Sequence, residues 1–485
     1  MITRTYISKF NTIIKDSVLN TGINPVAELC YGSSVTRMLV YFDHCRIKEL
    51  VDKKIFPDIN KMRHYLKITN AGSIDFTQVH CSEISNITDD IKIRACSFDL
   101  IFFLIPKFWD CGKGFDYTKT FFNQGYYGKE CTGTRMNTSR LLSSDGSNWY
   151  QARNGYKWDE EGIYSNLTLS KEYDNFSSEK GSPIIIGRQH FDVGNENINL
   201  DITDIFNKFI SGELDNYGIG IAYSPMLELT NGKIENYTGF LTHKTNTFFE
   251  PYVETHYDDF ISDDRAFFSL DKKNKLYLYC NIGGETENLD ELPTCEVNGT
   301  NYDVKQYSKG IYYIDITLPR GIYKPNTMFY DTWDNIIYQG EKLEPVELDF
   351  VTKSNTNFFN IGNSLEESVK LTPSIYGIQS DERIKRGDVR KVVINPRVTY
   401  KKNLSELVDK MEYRLYVKDG EREIDVIPYE MVNKTFLENF FLIDTEMLIP
   451  NRYYIDIKFR YNMEMIMHHN VLSFDIVDDL NNKYN

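Results

Sequence analysis

Between Asn197 and Gly212 the hydrophobic pattern changes period, and that change limits what the surrounding chain can be. Ile198, Leu200 and Ile202 alternate with Asn197, Asn199 and Asp201, the period-2 pattern of a half-buried strand. From Ile202 onward the apolar positions fall at Ile205, Phe206, Phe209 and Ile210, which gathers them on one face of a short helix. Asp201 is expected to cap its start, Asp204 suits the positive end of the helix dipole, and Ser211-Gly212 is expected to stop it. Asn216–Tyr223 then alternates small residues with large ones, so a ring or a second backbone should pack on its small face. A last alternating strand, Phe249–Tyr257, is entered through Pro251.

This order resembles the C-terminal half of the DNRLRE-type β-sandwich, a family of extracellular and surface domains of jelly-roll build. The residues that carry the resemblance are Leu200-Asp201-Ile202-Thr203, Phe209-Ile210-Ser211-Gly212, Asn216-Tyr217-Gly218 and Pro251-Tyr252-Val253. Leu29-Cys30-Tyr31-Gly32 and the Arg-led strand Arg37–Asp43 resemble the first half of the same domain, which would then occupy residues 1–260 with long insertions. The resemblance implies a scaffold or binding role, since the family shares no catalytic constellation.

Beyond residue 257 the alternating runs continue. Asn274–Cys280, Gly310–Ile316 and Val346–Phe350 are strands separated by turn signals, and a further set runs from Lys391 to Val477. Short strands at such spacing suggest immunoglobulin-like sandwiches, here at residues 265–352 and 368–480. Polar runs at 258–265 and 353–368 read as the linkers, where limited proteolysis should cut first. Tyr453-Tyr454-Ile455-Asp456-Ile457 repeats Tyr312-Tyr313-Ile314-Asp315-Ile316, which supports two related sandwiches in tandem. The expected fold is therefore all-β: an N-terminal jelly-roll-like β-sandwich with one short helix, then two immunoglobulin-like β-sandwiches.

Charge and motifs narrow the function. With 55 Lys plus Arg against 70 Asp plus Glu the net charge is −15, and no basic run offers a track for nucleic acid or an anionic membrane. The opening residues lack a signal peptide, and the longest apolar run, Phe98–Trp109, is too short to span a bilayer, so synthesis in a host cytoplasm without membrane insertion is expected. The eight cysteines form no C-x-x-C pair and no zinc-spaced cluster, and read as buried free thiols. The adjacent His468 and His469 would face opposite sides of a strand. Carboxylate pairs such as Asp258-Asp259 sit in polar runs rather than apolar pockets that would raise one pKa. No catalytic, cofactor-binding or metal-ligating residue is assigned, and no enzyme activity is expected.

What remains is contact. The insertion from Cys111 to Trp158 is rich in Gly, Tyr, Asn and Ser, and places Tyr126, Tyr127, Trp149, Tyr150 and Trp158 on loops, where exposed rings grip protein partners or sugars. The alternative placement for Trp149 and Trp158 is the sandwich core. The whole chain resembles virion structural proteins of large tailed bacteriophages, T4-like or crAss-like, in Asp99–Pro106, Asp201–Phe206 and overall texture. That resemblance implies a place in the virion (tail, baseplate, collar or head decoration) and partners among other virion proteins and its own copies. A carbohydrate-binding or host-surface adhesion module contacting a surface glycan is the alternative.

Overall fold

The computed structural model describes residues 1–32, 35–71, 97–115, 143–165, 167, 171–172, 183–229, 236–283, 285–352, 371–398, 408, 410–435, 438–461 and 464–478. The chain is all-β and divides into two compact units: Thr3–Lys48 with Met62–His256, and Met1–Ile2 with Glu49–Lys61 and Tyr257–Asn485.

The first unit is organised on one nine-stranded sheet. In spatial order its strands are Ile198–Asp201, Arg63–Ile68, Tyr252–His256, Ile2–Ile14, Thr36–Phe42, Ile219–Tyr223, Phe98–Leu104, Ile184–Phe191 and Lys171–Glu172. The sheet curls until its ends approach, giving a barrel-like layer. Gln189 bridges the gap by accepting from the Asn199 N–H and donating to the Asn197 carbonyl, both at 2.8 Å. Gly187 makes the approach sterically feasible, because a Cβ there would lie 2.8 Å from Leu200 Cδ1. The second layer is small, a ladder of Val26–Tyr31 with Asn236–Leu241. From Leu100 to Leu104 every residue is buried, as a strand covered on both faces requires.

The period change marks the helix Thr203–Ser211, with Ile205, Phe206, Phe209 and Ile210 buried. Gly212 ends it in the left-handed region at φ 77°. The N-cap residue is Ile202, not Asp201, and it has no capping side chain; the Asp201 carboxylate instead accepts from the Thr203 N–H at 2.9 Å. Phe206 stacks between Phe42 and His64, with ring centroids 5.6 and 4.1 Å away. Truncating Phe206 to Ala should cost about 3–5 kcal/mol in chemical unfolding. The close approach expected on the small face of Asn216–Tyr223 is present: a Cβ on Gly220 would lie 2.2 Å from the Phe103 ring. Among the described residues two further α-helical segments, Cys45–Asp52 and the single turn Pro225–Glu228, were not expected from the sequence.

The second unit holds two sandwiches. In one, Asn274–Tyr279, Ile311–Ile316 and Val304–Ser308 face a sheet ordered Thr300–Tyr302, Thr294–Val297, Met328–Asp334, Val346–Val351, with Trp333, Phe350, Leu276 and Ile314 in the core. In the other, Leu371–Tyr376, Val389–Val398, Asn439–Asp444 and Asn433–Lys434 face a five-stranded sheet. That sheet is ordered Glu382–Lys385, Glu464–Val477, Asn451–Tyr461, Lys410–Asp419, Arg422–Met431. Glu382–Lys385 pairs in parallel with the end of Glu464–Val477, and the Tyr453 hydroxyl donates to the Ile449 carbonyl at 2.7 Å. A tyrosine near the start of the penultimate strand, bonded a few residues back, is the corner found in immunoglobulin-like sandwiches. The repeated Tyr-Tyr-Ile-Asp-Ile segments do not occupy equivalent places: the first ends the strand before Met328–Asp334, the second lies in that strand's topological counterpart, Asn451–Tyr461. The repeat reflects the common chemistry of tyrosine-rich strands and gives no sign of duplication.

The polar run at 258–265 is not a loose linker. Ile261, Asp263 and Arg265 are buried. The Asp263 N–H donates to the Lys434 carbonyl at 3.1 Å, the Lys434 N–H to Ile261 at 2.9 Å, and the Ile261 N–H to the Asn433 side chain at 2.8 Å. Tyr307 donates to the Phe260 carbonyl at 3.1 Å. Arg265 makes a bidentate pair with Asp331, which also accepts from the Trp333 indole at 2.7 Å. Acids that look like a solvated turn are thus sewn into both sandwiches, and protease should spare 258–265 until the unit itself opens. The second expected linker, 353–368, lies outside the described residues.

Candidate functional site

Trp149 and Trp158 are interior side chains, not exposed contacts. Both are 5% exposed and pack with Trp109, Phe103 and Ile101, because the insertion folds back over the outer face of the curled sheet. The Trp158 indole donates to the Asn148 carbonyl at 2.8 Å, and that of Trp109 to Tyr217 at 2.8 Å. Tyr150 is half-buried against the same cluster. Tyr126 and Tyr127 lie outside the described residues. Arg37 fastens the cover: its guanidinium pairs with Glu228 at 2.7 and 2.9 Å, donates to the Gly162 and Tyr164 carbonyls at 2.6 and 2.7 Å, and lies 5.0 Å from the Trp149 ring.

With those rings inside, the same insertion presents different ones. Phe108 follows the strand Phe98–Leu104 and Pro106, and is 48% exposed. Tyr156 is 59% exposed on the hairpin Gln151–Arg153/Tyr156–Lys157, whose turn needs Gly155 at φ 79°. Lys9 sits opposite Tyr41 in the neighbouring ladder. These side chains form a continuous alternation. Lys9 Nζ lies 5.3 Å from the Tyr41 ring and 4.2 Å from Phe108, and Arg153 lies 5.8 Å from Phe108 and 3.9 Å from Tyr156. Burial, then Asp43 and Cys45, raises the Tyr41 pKa, so its hydroxyl stays neutral.

Neither Lys9 nor Arg153 pairs with a carboxylate among the described residues, whereas neighbouring Lys107 is held by Asp159 at 2.6 Å. Each cation–ring contact in such an exposed setting contributes roughly 0.5–1 kcal/mol. The ladder thus offers two positive charges with no carboxylate partner among the described residues, fixed over flat apolar faces, in a chain of net charge −15. No sequence motif announces it, because its members come from four separate segments and meet only through the Lys9–Tyr41 register, the Arg153–Tyr156 cross-strand pair and the approach of Phe108 to both cations.

Other polar clusters have local structural explanations. Among the described residues the one group of three metal-type ligands is Asp43, His44 and Cys45, within 4.8 Å. There Asp43 accepts from the Cys45 N–H, which draws its pKa down, and His44 Nδ1 is met by the Asn216 amide at 3.2 Å. His190 pairs with Asp99 and His256 with Glu254. His469, 64% exposed in its side chain, is held through Nδ1 by Asp456 at 3.1 Å. The free thiols of Cys30, Cys280 and Cys295 are buried, while Cys45 is exposed. No helix among the described residues is long and apolar enough to cross a membrane.

No protein-family model matches the chain, and no curated protein does. Among solved structures it is similar to titin Ig tandem domains, at 10% identity over 44% of this chain and 92% of that one, with a TM-score of 0.16. It is similar to fibronectin(III)-like modules of Clostridium thermocellum CbhA, at 10% identity over 47% and 97%, with a TM-score of 0.14. It is also similar to the endo-beta-1,4-mannanase of Thermotoga petrophila, at 12% identity over 27% of each chain, with a TM-score of 0.16. Overlaps this weak carry no information on activity.

Proposed function

We propose that this chain is a non-catalytic structural protein of a tailed bacteriophage virion, acting by protein–protein assembly. The observation that carries the reading is the Tyr41–Lys9–Phe108–Arg153–Tyr156 ladder, an interaction surface whose partner is another virion protein presenting carboxylates beside an apolar contact. The phage setting rests on the sequence resemblance. Replacing Lys9 and Arg153 together by Glu should leave the circular-dichroism spectrum unchanged and abolish incorporation into particles. Incorporation at the wild-type level would overturn the reading. The exposed faces of Phe108 and Tyr156 also suit stacking on sugar, which supports the adhesion reading second. Selective glycan-array binding that is lost on Tyr156→Ala, with no change in incorporation, would favour it.

A further inference from the structure

Ser97, Asp99 and His190 share one face of the curled sheet. Phe98–Leu104 runs antiparallel to Ile184–Phe191, with Phe98 opposite Phe191 and Asp99 opposite His190. The two phenylalanines are buried and stack with ring centroids 4.8 Å apart. Side chains alternate along a strand, so Ser97, Asp99 and His190 lie on the other face, where all three are exposed. Directly opposite residues on such a face have Cβ atoms about 4.5–5.5 Å apart, and diagonal ones about 7–8 Å, within reach of a long side chain. The imidazole touches both neighbours: Nδ1 lies 2.7 Å from Asp99 Oδ1, and Nε2 lies 3.1 Å from Ser97 Oγ.

These partners fix the protons. An ionised carboxylate only accepts, so in the neutral ring Nδ1 carries the hydrogen, and Nε2 keeps a lone pair that the Ser97 hydroxyl meets as donor. Asp192 Oδ1 stands 3.3 Å from the same Nε2, where it repels the lone pair and favours a proton. The hydrogen bond to Asp99 raises the His190 pKa, against desolvation, and the charges of Asp99, Asp192 and Glu196 add to the rise. A proton acceptor beside a hydroxyl, oriented by an acid on its far nitrogen, is the arrangement that makes a serine nucleophilic.

We propose that Ser97 is a covalent modification site, a hydroxyl that takes an acyl group from an activated ester. As Oγ attacks the acyl carbon, its proton passes to His190 Nε2. The Oγ–carbon bond forms, the bond from that carbon to the leaving oxygen breaks, and the imidazolium returns the proton to the leaving group. One transfer leaves Ser97 acylated, so no turnover is asked of the chain. The site goes beyond the assembly surface proposed above and uses none of the ladder residues.

The full chain incubated with p-nitrophenyl acetate should carry an acetyl group on Ser97, located by peptide mapping. His190→Gln should slow that acetylation about 10²-fold, the lower end for a general base, as suits an exposed ring. The wild-type rate should rise with pH through a midpoint above about 6.5, the ordinary imidazole value, because only the neutral ring accepts the proton. Asp99→Asn should slow the reaction and move that midpoint down, which a purely structural Asp99 would not do. Both variants change exposed side chains and should keep the wild-type circular-dichroism spectrum. Absence of acetyl on Ser97, an unchanged rate in His190→Gln, or a midpoint that stays in place in Asp99→Asn would each overturn the proposal, while leaving the ladder reading to its own test.

Discussion

Arg265→Met should destabilise the unit that contains Tyr257–Asn485 by about 3–5 kcal/mol in chemical unfolding. The Arg265 side chain is 5% exposed, and the two carboxylates nearest it, Asp331 and Asp263, are each 0% exposed. Removing the guanidinium leaves both acids in the interior with no cation, and takes a donor from the Tyr277 carbonyl, 3.0 Å away. The cost belongs to the stranded acids rather than to the pair's intrinsic strength, so replacing both partners, Arg265→Met with Asp331→Leu, should recover part of the loss. The recovery should be incomplete, since the Trp333 indole also loses its acceptor. A single-variant change under about 1 kcal/mol would show that the network is hydrated and that 258–265 is the loose connector its composition suggests.

Acidification from pH 7 to pH 5 should move the two units in opposite directions. Burial raises the Asp263 pKa to about 6, against the attraction of Arg265, with Asp331 and Asp264 adding to the rise. Asp331, Asp264 and Asp259 are also raised by burial. An acid whose folded pKa lies above its unfolded value binds more protons when folded, so unfolding becomes harder as pH falls through 6 toward 4. In the other unit burial pushes His64 down to about 3 and His243 down to about 4. His64 faces Thr255 through Nδ1 at 2.9 Å and lies near Asp201 and His256. Those imidazoles are neutral when folded and take up protons when unfolded below about 6.5, so stability is lost as pH falls from there. Each unit should shift by roughly 1–3 kcal/mol. Hydrogen exchange read by mass spectrometry at the two pH values, corrected for intrinsic rates, should show protection rising in Asn274–Tyr279 and falling in Ile219–Tyr223. Parallel shifts would contradict the burial of one set or the other. Asp263→Asn should remove much of the gain and leave the histidine-dependent loss intact.

How far the fold could be read from sequence depended on whether the cause was local. The helix at Thr203–Ser211 and its Gly212 stop follow from side-chain period and a glycine's freedom at positive φ, both visible within a dozen residues. The small face at Gly220 was legible for the same reason, although which ring would fill it was not. Trp149 and Trp158 could not be assigned to core or loop, because their burial depends on Arg37 and Glu228 drawing the insertion onto the sheet from distant positions in the chain. The acidic run at 258–265 looked solvated because the partner of Arg265 lies 66 residues away. Assembly of the ladder depends on strand register in the same way. Phe108 sits one residue before the buried Trp109, and nothing in their composition says which of the two rings faces out.

The most direct test of the assembly account is side-chain footprinting of the free chain against the particle that contains it, read at Phe108 and Tyr156. The account predicts that both rings are labelled in the free chain and protected in the particle, while the buried Trp149 and Trp158 stay unlabelled in each. Equal labelling of Phe108 and Tyr156 in the two states would contradict it.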